Sequence, residues 1–395
     1  MTLSRNVNRM FWYMVTQRRH FIPILSVFFL SLPDTRAQQI GLFMAIGSLT
    51  SFLTEIPSGY VADRVGHKRT LVLAKAFMLL STVSFGFASS LWQFILGSIL
   101  LNLSISFMSG TRDAFMHNTL ISLGRGGEYT RVMSRLGANA SLLSVLLALS
   151  LPLLSKVRLV LPIRAMLVLD VAGLFVALSF SSPPQLKARA ERSVGRIAQG
   201  IRRAASPSFW PAILFVGFLG GFLLAASPYR PVFLESLGYP VAWLGAVMAF
   251  SRLVWFVVGR FAHVLEERVG VERLLAFEMV VFPLWLAVIA LVGRPFVAAA
   301  LFAILVGYRW GREQVVTRHF LDNFIRDGRL KATMLSVKGQ VRTLVMASVT
   351  FGIGFVMERS FQSGFLVLAG AWLVALAVSF VWLRRSLASL PSRHP

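Results

Sequence analysis

Of the charged residues that stand within or at the edges of long apolar runs in this 395-residue chain, fifteen are the candidates for chemistry. They are Arg18, Arg19, Arg112, Asp113, Arg164, Asp170, Arg230, Glu235, Arg252, Glu278, Arg309, Arg312, Glu313, Lys338 and Arg342. Ionisable groups in such runs are costly in hydrocarbon, so they are expected to face protein or a water-filled space. A guanidinium can grip a carboxylate or phosphate through two parallel hydrogen bonds, which makes the arginines candidate anion ligands. The acids are candidate proton sites. Arg112-Asp113 and Arg312-Glu313 are adjacent pairs, each within two residues of a preceding glycine. Neighbours on a helix point about 100° apart, so neither pair is expected to neutralise itself.

The elements that must position these groups are membrane spans. Apolar residues make up 56% of the chain, charged residues only 14%, and the mean hydropathy is +0.70. That balance excludes an ordinary soluble domain. The runs suit spans near 11–32, 38–61, 70–89, 91–117, 133–154, 160–181, 209–234, 240–261, 272–292, 296–318, 332–357 and 361–383, each long enough to cross hydrocarbon. The first and tenth are the least clean, interrupted by Arg18-Arg19-His20 and by Arg309 and Arg312. The basic N-terminal start reads as an uncleaved first helix, because no small-residue cleavage site follows it.

A net charge of +24 would suggest nucleic acid in a soluble chain. Here its placement follows the positive-inside rule, and no nucleic-acid partner is expected. Alternate loops, including 1–10, 63–75, 187–203 and 384–393, hold 25 Lys and Arg against five in the others. Both termini are therefore expected in the cytoplasm. There are no cysteines, which removes disulfides and thiolate metal sites. His20, His117, His263 and His319 lack ligand spacing, so no metal or other cofactor is expected. Gly124, Gly126 and Gly127 have neither a preceding strand nor the Lys-Ser/Thr of a phosphate loop.

One polar stretch, Glu55-Ile-Pro-Ser-Gly-Tyr-Val-Ala-Asp-Arg-Val-Gly-His-Lys-Arg69, joins the second and third spans. Glu55, Gly59 and Asp63 recur every fourth residue and share one side of a helix. Gly59 should let a neighbouring helix approach closely. Asp63 is placed to meet a helix N-terminus or an arginine. Gly66 supplies the turn, and Lys68 and Arg69 hold it on the positive side. The stretch has an echo 204 residues later: Asp63-Arg-Val-Gly66 matches Glu267-Arg268-Val-Gly270. Similar offsets relate Pro23, Val27 and Phe28 to Pro228, Val232 and Phe233. The halves therefore read as a duplicated six-helix unit. The expected division is 1–182, a cytoplasmic linker over 183–207, and 208–395.

The Glu55–Arg69 stretch resembles the loop 2–3 signature of the major facilitator superfamily, departing from it at His67. Ser109-Gly-Thr-Arg-Asp-Ala-Phe115 with Glu128-Tyr129 is similar to a largely uncharacterised bacterial branch, which often has an acid where Asn118 stands. The resemblance implies an all-α membrane protein of two six-helix bundles around a cavity, working by alternating access. It implies that Glu55, Gly59, Asp63, Arg64, Gly66, Lys68, Arg69, Glu267 and Arg268 belong to a gate. Asp63 would cap a helix of the other half, and Arg64 would join a charge network. Helices 1, 4, 7 and 10 would line the cavity, with 2, 5, 8 and 11 flanking it. That makes Arg18, Arg19, Arg112, Asp113, Arg230, Arg252, Arg309, Arg312, Glu313, Lys338 and Arg342 the substrate or coupling candidates. Glu235 closes helix 7. Arg164, Asp170 and Glu278, on peripheral helices, would be structural or interfacial. Asp113 is open to a structural pairing with Arg64 or Arg69, and Arg18 and Arg19 to an interfacial position.

The function these readings support is secondary transport of a small anionic solute across the cytoplasmic membrane, by a monomer coupled to a proton or a counter-solute. The rivals are drug or hydrophobic-metabolite efflux and a non-transporting sensor or assembly partner. The fifth span lacks the Gly-x-x-x-Gly-Pro run usual in drug/proton antiporters of the family. No nucleophile–base pair stands out, so an enzyme is not expected.

Overall fold

A computed structural model describes residues 3–184, 208–324 and 331–388. Residues 185–207, nearly all of the expected linker, lie outside the described residues. Among those described there is no strand, and the helices group into twelve spans. Eight are continuous: α2 (Ala37–Val65), α3 (His67–Gly86), α5 (Tyr129–Ser150), α6 (Leu161–Ser179), α8 (Leu244–Val269), α9 (Val271–Leu291), α11 (Lys331–Met357) and α12 (Phe361–Ala388).

Four are broken. They are α1 (Arg5–Thr16 and Ile22–Leu30), α4 (Leu91–Met108 and Thr111–Ser122), α7 (Phe209–Ala226 and Arg230–Ser236) and α10 (Pro295–Gly311 and Glu313–Phe324). Local sequence accounts for three of the breaks. Gln17 to Phe21 interrupts α1, and Pro23 starts its second half. Gly110, at φ +68°, turns α4. Pro228 stands in the break of α7, and Pro231 opens the half that follows. The break in α10 is a single residue, Arg312, at the expected place. Helix 1 also begins earlier than the sequence suggested, at Arg5 rather than near residue 11.

The helices form two compact units, residues 1–190 with 240–246, and 191–239 with 247–395. In the first, α4 packs along α2 and α3, α6 along α3 and α1, and α5 along α1. In the second, α7 packs on α11 and α12, and α9 on α12. The pairs α1–α5, α1–α6 and α3–α6 thus have counterparts in α7–α11, α7–α12 and α9–α12. Buried aromatic groups hold each unit. Phe29, Phe43, Phe85 and Phe94 interlock in the first, with ring centroids 4.8–5.7 Å apart. In the second, Phe233, Phe302 and Phe365 meet at 5.0–6.2 Å. Large apolar side chains such as Trp92, Leu142, Phe175 and Phe256 point outward, as a lipid-facing surface requires.

The Gly66 turn stands as expected. Gly66 links α2 to α3 at φ +99°, and Gly270 links α8 to α9 at φ +80°. Both angles lie in the left-handed region that only glycine adopts without strain, so the echo in sequence is an echo in backbone. The side chains beside the turn differ from expectation. A Cβ added at Gly59 would meet nothing within 4 Å, so no close helix approach is made there. Asp63 is exposed and has no ion pair or hydrogen bond among the described residues. Arg64 lies over the Tyr60 ring, 4.6 Å from its centroid, where a planar cation is attracted by the ring face. Glu55 accepts a hydrogen bond from Ser109 Oγ at 3.2 Å, tying α2 to the break of α4. Lys68 is half-buried, and Arg69, Glu267 and Arg268 are exposed.

Candidate functional site

In the first unit the break of α1 leaves helix carbonyls without intrahelical donors. Arg19 supplies two of the missing bonds, donating to Thr16 O at 2.6 Å and to Gln17 O at 3.4 Å. Its guanidinium also grips Asp170 of α6 through both oxygens, at 2.6 and 2.8 Å. Thr82 of α3 donates to Asp170 Oδ2 at 2.6 Å and accepts from Arg19 Nη1 at 3.0 Å. All three side chains are buried. Arg19 is therefore a partner of the peripheral acid Asp170, and the expectation that it lines a cavity is corrected. Long range hid the match, because the two residues are 151 positions apart.

One turn away from this fork is a cation that the sequence reading counted with the basic loop 63–75. Lys75 is wholly buried in α3 and donates to Thr16 Oγ1 at 2.8 Å. Its Nζ lies 4.6 Å from the Tyr13 ring centroid. A Cβ on Gly173 of α6 would come within 2.5 Å of Thr16 Oγ1 and 3.0 Å of Lys75 Nζ, so that glycine makes the space. Five apolar or small residues on each side of Lys75 were the available signal. Burying a charge without a counter-ion costs several kcal/mol, and a ring face returns only about 2.

Arg112 and Asp113, in the first turn of the second half of α4, pair with each other at 3.1 Å. This corrects the expectation that adjacent residues could not do so. The arginine is long enough to fold back over its neighbour, and the expected pairing of Asp113 with Arg64 or Arg69 is not made. Arg18 donates to Ser141 of α5 at 2.9 Å. Arg164 caps the end of α3, donating to Gly86 O at 2.9 Å, and sits over Phe87.

The second unit holds a larger charged cluster. Arg312, at the break of α10, meets Glu278 of α9 at 2.6 Å, with both groups buried. Phe282 lies 5.5 Å from the guanidinium and packs edge-on against Tyr308. Arg312, like Arg19, is thus held by a peripheral acid rather than lining a cavity. Its neighbour Glu313 points elsewhere. It accepts from Arg309 Nη1, one turn back, and from Lys338 Nζ of α11 at 3.3 Å. Lys338 also donates to Thr317 at 3.0 Å. For this pair the two neighbours do not neutralise each other, as expected.

Arg342 stands one turn beyond Lys338. Its guanidinium is 6.0 Å from the Trp310 ring centroid, and that of Arg309 is 5.0 Å from the same ring. The buried Nε of Arg342 has no hydrogen-bond partner among the described residues. Gly220 of α7 faces both arginines: a Cβ there would lie 2.7 Å from Arg309 Nη2 and 3.1 Å from Arg342 Cδ. Helices α10 and α11 therefore bring two cations onto one carboxylate, with Arg342 sharing the Trp310 ring with Arg309, and Gly220 of α7 leaves room for both arginines. The structure does not gather all candidates there. Arg230 and Arg252 are half-buried on α7 and α8, and Glu235 is exposed.

The model of the Major Facilitator Superfamily matches residues 2–324. The chain belongs to that family. It is a multi-pass membrane protein of the superfamily kind, and family and fold point away from an enzyme. Among curated relatives, the inner membrane transport protein YajR of Escherichia coli is 28% identical over 118 residues, 30% of this chain and 25% of that one. The MFS-type transporter YxaM of Bacillus subtilis is 34% identical over 96 residues, 24% of each chain. The chain thus matches about a quarter of the length of those relatives. Solved structures match along nearly the whole chain. The nucleoside transporter NupG gives a TM-score of 0.76 at 14% identity, covering 98% of this chain and 99% of its own. A D-xylose–proton symporter gives 0.69 at 12%, covering 98% and 97%. A bacterial homologue of the human lysosomal transporter Spinster gives 0.68 at 15%, covering 99% of each.

Proposed function

We propose that the chain moves a small anionic solute across the cytoplasmic membrane, with Glu313 exchanging a proton as the solute binds and leaves. The observation that carries this reading is the cluster in which Arg309 and Lys338 hold Glu313 while Arg342 shares the Trp310 ring with Arg309, with a buried guanidinium nitrogen of Arg342 left without a hydrogen-bond partner among the described residues. With Glu313 ionised, two of the three cations are occupied by it. Protonation of Glu313 weakens its hold on Arg309 and Lys338 and frees their donors for an incoming carboxylate or phosphate. The anion and the proton then travel together. Return of the empty site re-forms the ion pairs. Trp310 gives the site one flat apolar wall.

The names of the structural relatives mention a nucleoside, a sugar and a lysosomal transporter, so the fold leaves the choice of solute to these side chains. The loop charges support a cytoplasmic placement of both termini, and the signature at Glu55–Arg69 supports a gate there. Alternating access between 1–182 and 208–395 completes the proposed cycle.

A thermal-shift screen against organic anions and phosphate esters identifies the solute, because a ligand that binds the folded protein stabilises it by mass action. Proteoliposomes carrying Glu313→Gln are then expected to lose at least about tenfold of the uptake driven by an imposed pH gradient. Anion exchange without a gradient should persist. Gradient-driven uptake at the wild-type rate would remove Glu313 from coupling, and stabilisation by cationic drugs alone would favour efflux of hydrophobic cations.

A further inference from the structure

The buried amine of Lys75 has no part in the cluster around Glu313. We propose that it is a second proton-exchanging group, neutral in the packing described here and protonated when the upper half of α1 draws Arg19 away from Asp170. This deepens the proton-coupled reading above by placing a coupling group in the first unit.

Among the described residues the amine has one hydrogen-bond partner, Thr16 Oγ1, whose own proton goes to Trp12 O or Tyr13 O at 3.0 and 3.2 Å. The nearby carboxylate, Asp170, is already filled by the fork of Arg19 and by Thr82. A proton on Lys75 would therefore put two cations beside one carboxylate in a space closed to water. Charges on the other packed elements are engaged elsewhere or exposed. Arg112 pairs with Asp113, His117 lies against Tyr129, and Arg164 caps α3 at its far end. On α2, Glu55 binds Ser109, while Asp63 and Arg64 are exposed. None of these is a counter-ion for the amine, which is best accommodated without charge.

The same surroundings offer the ammonium a place once Asp170 is released. Thr16 Oγ1 accepts one N–H, and the Tyr13 ring face attracts the cation. Asp170 stands one turn from Gly173, whose missing side chain already leaves room for Nζ. Departure of Arg19 opens the joint to solvent and exchanges one cation for another on Asp170: a hydronium ion gives a proton to the Nζ lone pair, its O–H bond breaks to leave water, and an N–H bond forms. Return of Arg19 expels it. Arg19 and Lys75 thus compete for a single carboxylate, and the position of the α1 joint decides between them.

The test needs no solute, so it stands or falls apart from the Glu313 experiment. Thermal unfolding of the purified protein is followed between about pH 6.5 and 9.5 for wild type, Lys75→Met and Lys75→Gln. An amine that is neutral when folded and protonated when unfolded takes up a proton on unfolding, up to about pH 10.4. Stability then rises with pH, and the unfolding equilibrium constant falls by up to about tenfold per pH unit. Both variants should lose this contribution, so the gap between wild type and variant changes steadily with pH. Lys75→Gln keeps a donor for Thr16 and serves if the methionine protein does not fold. A gap that stays constant across the range overturns the proposal, because Lys75 then keeps one protonation state throughout.

Discussion

Asp170→Asn is expected to destabilise the first unit by about 3–5 kcal/mol, the range seen when one member of a buried ion pair is removed. The carboxamide nearly preserves the shape of the carboxylate, so packing is not what is lost. It leaves the Arg19 guanidinium buried among α1, α3 and α6 with no counter-ion, and replaces one of its two acceptor oxygens with a donor. The measurement is the thermal midpoint and folded yield in detergent. Arg19→Met combined with Asp170→Leu should recover most of the loss, because replacing both charges by apolar groups is often neutral or stabilising. Equal loss in the single and double variants would mean that shape, not charge, governs the site.

Arg342→Gln should have the largest effect on transport with little effect on folding. No acid among the described residues pairs with this arginine, so removing its charge leaves no buried partner exposed. If it grips the anion, one charge-assisted hydrogen bond or a bidentate pair disappears, worth about 1.5–3 kcal/mol or roughly 10–150-fold in affinity. The kinetic signature is a raised KM for the solute found by thermal shift, with the unfolding midpoint within about 2 °C of wild type for a chain of this size. Arg309→Gln should also impair transport and lower stability as well, because Glu313 would keep only Lys338. Unchanged KM for both would end the anion reading.

The architecture was legible because its signals are local. Apolar runs gave the spans, Arg18-Arg19-His20 and Arg309-Arg312 marked two of the four breaks, and the repeated Arg-Val-Gly fixed both glycine turns. The side-chain partnerships were not legible. Asp170 and Glu278 form structural ion pairs, as expected of acids on peripheral helices, but each pairs with an arginine assigned to the cavity. Nothing in a sequence says which face of α6 meets the joint of α1. Lys75 is hidden for a different reason: the basic run beside it makes a buried lysine look like loop charge. The pairing of Arg112 with Asp113 is not legible from helical angles, which describe where side chains start, not how far an arginine reaches.

Arg19 and Arg312 each sit at a joint between two half-helices, and each is forked or butted onto an acid of a neighbouring helix that is itself unbroken. A planar fork fits a carboxylate over a narrow range of angles. The joint in α1, where Arg19 grips both oxygens of Asp170, is therefore expected not to swivel evenly as a bare loop would, and a buried ion pair stands at the joint in α10. Each is expected to behave like a catch that holds until its ion pair gives way. A half-helix hinged in this manner moves between distinct positions rather than drifting among many, and the threshold for each move is set by one arginine and one acid.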